Sequence, residues 1–317
     1  MVVKQTQKPS KNITLTDRDR AVLYNVYTHR FMTALQIQKV VNPKWNLTNC
    51  KNRLTALYRL QYLARPAAQF GEFVEGGGSK PLVYALGREG KKVLMQAPYS
   101  LSLKSMNIVS NNSKVNRPHI KHTLMTTEVV ANARVACRAH GIHFIDESPL
   151  IQNVTHTDRK NGTFRSRSWP VPAYPPLTTE ASRIIPDRMF CFEFPDRAPG
   201  KNRLYFFLES DRGSENHVSN TTNKATLARK MRQYRATAKT RTLQEHFPAI
   251  ESFTVLVVGN TRQRVANMVE TSKSVEGGWN KLLFTDLTTV EKSPFFSIPW
   301  VTGKTGEVMT LGGAIGQ

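Results

Sequence analysis

The chain has 317 residues, of which 39% are hydrophobic and 9% aromatic. This is enough for two domains with buried cores, and it excludes a wholly disordered protein. The formal net charge of +22 favours nucleic acid as the partner, because each phosphate that Lys or Arg neutralises releases counterions.

The chain shows no sign of a membrane or secreted protein. No apolar run approaches the roughly 20 residues that span a bilayer, so no membrane partner is expected. Residues 1–13 are polar and lack the apolar segment of a signal peptide. Cys50, Cys137 and Cys191 are too widely spaced for a disulfide framework or a zinc site. Small reduced core residues in a cytoplasmic protein are the simpler interpretation.

Three short helices are predicted in the first part of the chain. Thr16 is expected to cap the first, because acids follow it in the first turn and apolar residues then recur on one face. In the second, Leu35, Ile37 and Val40 are expected to face inward. In the third, apolar positions recur at three- and four-residue spacings: Cys50, Leu54, Leu57 and Tyr58.

The opposite face of the third helix is polar and includes Thr55 and Arg59. A strand, a glycine tip at residues 76–78, a second strand and a last helix follow. This order resembles the winged helix-turn-helix family over about residues 14–97. In that family the third helix enters the major groove and the hairpin, or wing, lies on the DNA backbone or minor groove. The resemblance implies a DNA-contacting set on the third helix and beside the wing, namely Thr48, Asn49, Lys51, Asn52, Arg53, Lys80 and Arg88. A polar face that contacts only protein is the alternative.

The rest of the chain is predicted to form a second domain. Residues 98–118 are rich in Ser and Asn and are expected to be a linker. Residues 119–290 then read helix, strand, strand, strand, helix, strand, helix, strand, which is an α/β order. Residues 291–317 are expected to be a C-terminal tail. An irregular insertion at residues 150–181 carries three basic residues that could contact phosphates: Lys160, Arg165 and Arg167.

Three acids stand at the ends of two apolar runs in this domain. Glu209 and Asp211 close the second run and share one strand face, because alternate residues of a strand point to the same side. Asp187 lies on the preceding strand of a predicted hairpin. Grouped carboxylates repel one another unless a cation or a basic partner lies between them. Such groups commonly hold Mg²⁺ together with water and phosphate oxygens.

The stretches Ile185-Pro186-Asp187 and Glu209-Ser210-Asp211 resemble the PD-(D/E)xK nuclease core, a restriction-endonuclease-like α/β fold. The resemblance implies that Asp187 and Glu209 are metal ligands for Mg²⁺ or Mn²⁺. It also implies that Glu128, on the preceding helix, is a further metal ligand and an auxiliary acid.

The sequence departs from that nuclease pattern at one position. Asp211 stands where the nuclease family has Lys, and it is expected to act as an auxiliary acid. In some members the basic group has moved to the following helix, which makes Lys230 the residue expected to stabilise charge or orient the water. Tyr234 lies four residues further on and on the same helical face, where it would position the phosphate or Lys230.

A winged helix followed by this core, with the run Glu209-Ser210-Asp211-Arg212-Gly213-Ser214-Glu215, is similar to the replication-relaxation family of plasmids and mobile elements. The resemblance spans roughly residues 14–290. It implies involvement in plasmid replication, DNA relaxation or mobilisation. With the nuclease-like core, the first hypothesis is a protein that binds double-stranded DNA and nicks or cleaves it with a metal ion. A second copy of the chain or other replication or mobilisation proteins are further expected partners. The alternative is a non-catalytic DNA-binding regulator or replication accessory factor with a degenerate nuclease core.

Overall fold

The computed structural model describes most of the chain, namely residues 13–69, 80–101, 112, 115–151, 155–158, 162–165, 167–171, 182–213, 227–275 and 277–314. The chain divides into two compact units, residues 1–131 and 132–317, and the division falls within one long helix. Its mixture of helices and sheets makes it an α/β protein, as the sequence predicts. Within the described ranges, no helix combines the length and apolar character needed to cross a membrane.

The described part of the N-terminal unit combines short helices with a small antiparallel sheet. The elements are α1 (Asp17–His29), β1 (Met32–Thr33), α2 (Ala34–Val41), α3 (Leu47–Arg59), β2 (Leu63–Ala64), β3 (Val83–Leu86) and α4 (Arg88–Met95). The strand order is β1-β3-β2, and both pairs are antiparallel. The glycine tip predicted at residues 76–78 lies outside the described residues.

Local sequence signals set the ends of the first helices. Thr16 caps α1 through a capping box, in which its hydroxyl accepts a hydrogen bond from the Asp19 backbone N–H and the Asp19 carboxylate accepts from the Thr16 N–H. Thr33 caps α2 in the same way. The predicted core positions Ile37 and Val40 are buried, whereas Leu35 is 46% exposed because it lies about 100° around the helix from the buried stripe.

The C-terminal unit is built around one large sheet. Its elements, together with the helix that crosses the division, are α5 (Arg117–Ala139), β4 (His143–Ile145), α6 (Glu147–Ile151), β5 (Thr155–Asp158), β6 (Gly162–Arg165), β7 (Trp169–Val171), β8 (Ser182–Ile184), β9 (Arg188–Glu193), β10 (Arg203–Asp211), α7 (Leu227–Lys239), α8 (Thr242–His246), β11 (Phe253–Gly259), α9 (Arg262–Ser274), β12 (Leu282–Asp286), α10 (Leu287–Lys292), β13 (Trp300–Thr302) and β14 (Val308–Met309).

Seven of these strands form the sheet, in the order β14-β13-β12-β11-β10-β9-β4. Strands β10, β11 and β12 are parallel to one another, while the flanking strands pair antiparallel with their neighbours. A central strand covered on both faces is apolar at nearly every position, and β10 is buried from Tyr205 to its last residue. Its two carboxylates at residues 209 and 211 are therefore held inside the protein.

Helix α7 and the hairpin of β7 and β8 cover one face of the sheet beside β10. The rings of Trp169 and Phe207 lie 4.9 Å apart, and both belong to the cluster that contains Met231 and Tyr234. The indole Nε1 of Trp169 donates a 3.0 Å hydrogen bond to the Thr237 hydroxyl. These contacts hold α7 against the carboxyl end of β10.

Several segments have more structure than their sequence suggests. In the predicted tail at residues 291–317, β13 and β14 extend the sheet, and Phe295, Phe296 and Trp300 are buried. In the predicted linker at residues 98–118, Tyr99 stacks on Tyr24 of the first core at 5.1 Å, and α5 already begins at Arg117. Much of that linker, Lys160 and the side chain of Arg165 lie outside the described residues.

Candidate active site

Asp187 is joined to β10 through both its backbone and its side chain. Its N–H donates a 3.0 Å hydrogen bond to the Leu208 carbonyl, and its Oδ2 accepts a 2.7 Å hydrogen bond from the Ser210 N–H. The side chain thus extends the hydrogen bonding between β9 and β10 by one residue before Arg188, the first residue of β9. This places the carboxylate against the stretch of β10 that contains Glu209.

Glu209 is buried, with 4% exposure, and receives two hydrogen bonds from α7. The Tyr234 hydroxyl donates to Oε1 at 2.7 Å, and the Lys230 ammonium donates to Oε2 at 2.8 Å. Residues four apart on a helix lie on one face, so both side chains reach the same carboxylate. Lys230 is 26% exposed and therefore also borders the solvent.

The electrostatics of this cluster are those of a buried acid beside a second acid. Burial raises the pKa of Glu209 to about 7; the Lys230 ammonium opposes this shift and the negative charge of Asp187 adds to it. Burial also raises the pKa of Tyr234 well above its ordinary value, and the neighbouring Glu209 carboxylate reinforces the effect. Tyr234 is therefore a protonated donor at neutral pH.

Asp211 is engaged by a different partner. Nη2 of Arg264, on α9, donates to both Asp211 carboxylate oxygens at 2.9 and 3.0 Å, and the Gly213 N–H donates to Oδ1 at 2.6 Å. Gly213 has a φ of +81°, which a glycine adopts without strain. Asp211 thus closes the turn after β10 and is neutralised by Arg264, a residue that the sequence did not single out.

Glu128 is also paired with residues other than those predicted. Its buried carboxylate accepts hydrogen bonds from the Lys39 ammonium and, at 3.0 Å, from the Gln36 amide, both on α2. All three residues belong to the N-terminal unit, whereas Asp187 and Glu209 belong to the C-terminal unit. The contacts of Glu128 therefore explain its burial without a metal ion.

Arg167 supports the segment that precedes Asp187. Its Nε donates to the Pro186 carbonyl at 2.5 Å, and its Nη1 donates to Glu147 Oε1 at 3.0 Å. Its positive charge also acts to lower the pKa of Tyr234, against the larger effect of burial. The sequence alone indicates only a phosphate contact for Arg167, because neither partner is near it in the chain.

The predicted DNA-contacting residues fall into two groups. Exposed side chains on α3 and near the predicted wing are Thr48, Asn49, Lys51, Asn52, Lys80 and Arg88. Arg53, by contrast, makes two hydrogen bonds to Asp19, from Nε to Oδ1 at 2.8 Å and from Nη2 to Oδ2 at 2.5 Å. Asp19 is 1% exposed, so Arg53 neutralises a buried acid of α1.

The acid cluster offers oxygen ligands from two carboxylates. Across the described ranges, no group of three or more His, Cys, Asp or Glu side chains is arranged to hold a metal ion. Mg²⁺, however, is commonly held by one or two carboxylates together with waters and substrate phosphates. Each oxygen of Glu209 accepts one hydrogen bond and retains a second lone pair, so Asp187 and Glu209 fit such a cation.

The raised pKa of Glu209 should make the stability of the C-terminal unit fall as pH rises. Between the ordinary value of 4.5 and the folded value of about 7, the folded chain binds more protons than the unfolded chain. As the pH rises across this window, the free energy of unfolding of the chain with Glu209 should fall by on the order of 3 kcal/mol more than that of Glu209→Gln. Urea denaturation in EDTA, followed by tryptophan fluorescence, measures the difference. Both chains carry Trp45→Phe, so that the remaining tryptophans all report on the C-terminal unit. Identical pH profiles for the two chains would contradict the prediction.

Comparison with known protein families identifies a relationship that covers most of the chain. A family model described as replication-relaxation matches residues 23–250, more than two thirds of the chain, and this range contains α3, β10 and α7. No curated protein and no solved structure matches the chain. The chain therefore belongs to the replication-relaxation family, which indicates a role in the replication or relaxation of a plasmid or other mobile element.

Proposed function

We propose that the protein binds double-stranded DNA in the cytoplasm and nicks or cleaves a phosphodiester bond with the help of Mg²⁺ or Mn²⁺. The observation that carries this proposal is the arrangement around Glu209: Asp187 is tied to the adjacent Ser210, while Lys230 and Tyr234 bind the Glu209 carboxylate. Two acids, one ammonium and one protonated hydroxyl at the end of a central strand are the ligands and charges expected of a PD-(D/E)xK nuclease-like site, which supports the proposal.

Each residue has a role that follows from its contacts. Asp187 and Glu209 would hold the cation, which when bound supplies a more acidic water and neutralises phosphate charge. Lys230 borders the solvent, so its ammonium can reach a phosphate oxygen and stabilise negative charge there. Tyr234 keeps the Glu209 carboxylate in one orientation. Asp211 and Glu128 have no place in this proposal. Asp211 accepts hydrogen bonds from Arg264 at both oxygens and from the Gly213 N–H at Oδ1, so it serves the turn after β10. Glu128 binds Lys39 and Gln36 within the N-terminal unit.

The N-terminal unit supports the DNA-binding part of the proposal. Its helices and its β1-β3-β2 sheet have the order of a winged helix-turn-helix, in which α3 would enter the major groove. The exposed face of α3 presents Thr48, Asn49, Lys51 and Asn52, whose side chains suit base edges and phosphates. Lys80 and Arg88 would contact the backbone beside the wing. Arg53 is left out, since its guanidinium binds Asp19.

Replacing Lys51 and Asn52 together by Ala should weaken duplex binding by at least about tenfold and reduce its salt dependence, because a phosphate or base contact is lost. Fluorescence anisotropy of a labelled duplex at several salt concentrations measures both effects. The matched control is Asn267→Ala with Lys273→Ala, which removes the same two residue types from the surface of α9. Equal affinities for the two double variants would favour a protein-contacting role for α3.

One observation favours a second function, that of a non-catalytic DNA-binding regulator or replication accessory factor. Asp211 stands where a nuclease core would carry its Lys, and it is fully engaged by Arg264 and the Gly213 N–H. A site adapted to bind DNA without cutting it would keep such an ion pair as a structural element.

Plasmid cleavage separates the two functions. Supercoiled plasmid incubated with the protein should become nicked or linear in Mg²⁺ or Mn²⁺ and remain supercoiled in EDTA. Retention of the supercoiled form under all metal conditions, together with tight duplex binding, would overturn the nuclease and establish the regulator.

A further inference from the structure

A large apolar side chain is exposed beside the acid site. Ile185 is 54% exposed and precedes Asp187 by two residues. Exposure alternates along this segment: Ile184 and Pro186 are buried, Arg183 and Ile185 are exposed, and Asp187 is half-buried. Ile185 thus faces solvent between two buried residues, and the chain bends two residues later at Asp187, where the carboxylate accepts a hydrogen bond from the Ser210 N–H.

The backbone that carries Ile185 is held on both sides. Ile184 ends β8 and pairs with Trp169 of β7, and the Pro186 carbonyl accepts a hydrogen bond from Arg167. Asp187 is then joined to β10 by its N–H and its carboxylate. Ile is also restricted at χ1 by its branched Cβ. The exposed side chain therefore projects from a fixed position and is not free to fold back into the core.

Ile185 stands at a distance from Asp187 that suits a DNA substrate. Two residues of chain span at most about 7 Å, so Ile185 lies within about two base-pair steps of 3.4 Å from Asp187. Apolar side chains such as Ile are those that proteins insert between base pairs, where they unstack one step and kink the duplex.

We infer that Ile185 is an apolar wedge that inserts into duplex DNA next to the phosphodiester bound at Asp187 and Glu209. This inference rests on the proposed function, since it uses the same DNA and the same site. The kink would turn the phosphate towards the two carboxylates. Ile185 is thus a positioning residue that contacts the substrate without taking part in bond cleavage.

Two assays test the wedge, and only one of them requires cleavage. In the first, a relaxed closed plasmid is incubated with protein in a Glu209→Gln background and a type I topoisomerase, and the shift in topoisomers measures unwinding. In the second, nicking of supercoiled plasmid is followed over time. Both compare Ile185→Ala with Ile185→Leu and with Val308→Ala. Val308 is a 64% exposed aliphatic residue on β14, five strands from β9 and about 24 Å across the sheet.

Ile185→Ala should lose most of the unwinding and nick about tenfold more slowly, with Ile185→Leu and Val308→Ala close to the wild type. Equal behaviour of Ile185→Ala and Val308→Ala in the unwinding assay would overturn the wedge even if the protein nicks DNA. Unwinding that depends on Ile185 in a protein that never nicks would support the wedge and overturn the nuclease. Failure to bind DNA at all would overturn both. Unchanged thermal melting of the exposed-site variants confirms that each is folded.

Discussion

Asp187→Asn is expected to reduce plasmid nicking by more than about a hundredfold while leaving duplex binding intact. Asn keeps a side-chain oxygen that accepts the hydrogen bond from the Ser210 N–H, so the start of β9 stays in place. What is lost is the negative charge, and a metal ion at such a site contributes several kcal/mol of transition-state stabilisation, equivalent to a factor of more than about a hundred in rate. Time courses of supercoiled plasmid loss in Mg²⁺ measure the rate, and duplex anisotropy in Ca²⁺ measures binding.

The matched control for this experiment is Glu193→Gln. Glu193 is the last residue of β9, where it forms an ion pair with Arg203 and lies 3.4 Å from a ring nitrogen of His143 near the surface. Six residues of strand separate it from Asp187, a distance of about 20 Å. The control should nick at the wild-type rate. Full nicking by Asp187→Asn would show that the activity arises elsewhere in the protein or from a contaminant.

Arg53→Ala is expected to destabilise the N-terminal unit strongly. The substitution leaves the Asp19 carboxylate, which is 1% exposed, without its guanidinium partner. Burial alone would raise the pKa of Asp19, but hydrogen bonds from Arg53 and Thr16 outweigh it and hold the pKa below its ordinary value. We expect a loss of about 3 kcal/mol, the lower end for a broken buried pair because Arg53 is itself 31% exposed.

Hydrogen exchange detects this loss where it occurs. Peptides from α1 and α3 should lose protection in Arg53→Ala, whereas those from β10 and β11 should not. Arg59→Ala is the control. Arg59 is exposed on α3, the helix that also carries Arg53, and its replacement should lower the free energy of unfolding by less than about 0.5 kcal/mol. Weakened DNA binding by Arg53→Ala with unchanged protection would instead restore Arg53 to the DNA-contacting set.

The parts of the site that sequence analysis predicted depend on short-range geometry. Asp187 and Glu209 are brought together by a hairpin, and Lys230 and Tyr234 by their four-residue spacing on one helix. Both patterns can be derived from the periods of strands and helices. The approach of α7 to β10 was inferred only from the family resemblance.

The parts that sequence analysis missed depend on long-range contacts between side chains. Arg264 meets Asp211 because β11 returns parallel to β10 and delivers α9 beside its end, 53 residues further along the chain. Glu128 finds Lys39 across 89 residues, and Arg53 finds Asp19 across 34. Helical periodicity places each of these residues on a face but cannot identify which residue lies opposite. The aromatic residues Phe295, Phe296 and Trp300 are visible in the sequence and already argue against a C-terminal tail, because such side chains are usually buried.

The hydrogen bond from the Ser210 N–H to the Asp187 side chain also stabilises the register of the hairpin formed by β9 and β10. Because β10 is also paired with β11, a slip of one residue between β9 and β10 would move β9, reverse its faces and displace Asp187 from Glu209. Such a slip would also break the hydrogen bond between the Ser210 N–H and Asp187. Asp187 therefore disfavours the change of register that would disrupt the site. The turn between these strands can therefore vary in length and sequence, provided that Asp187 still reaches the same backbone amide.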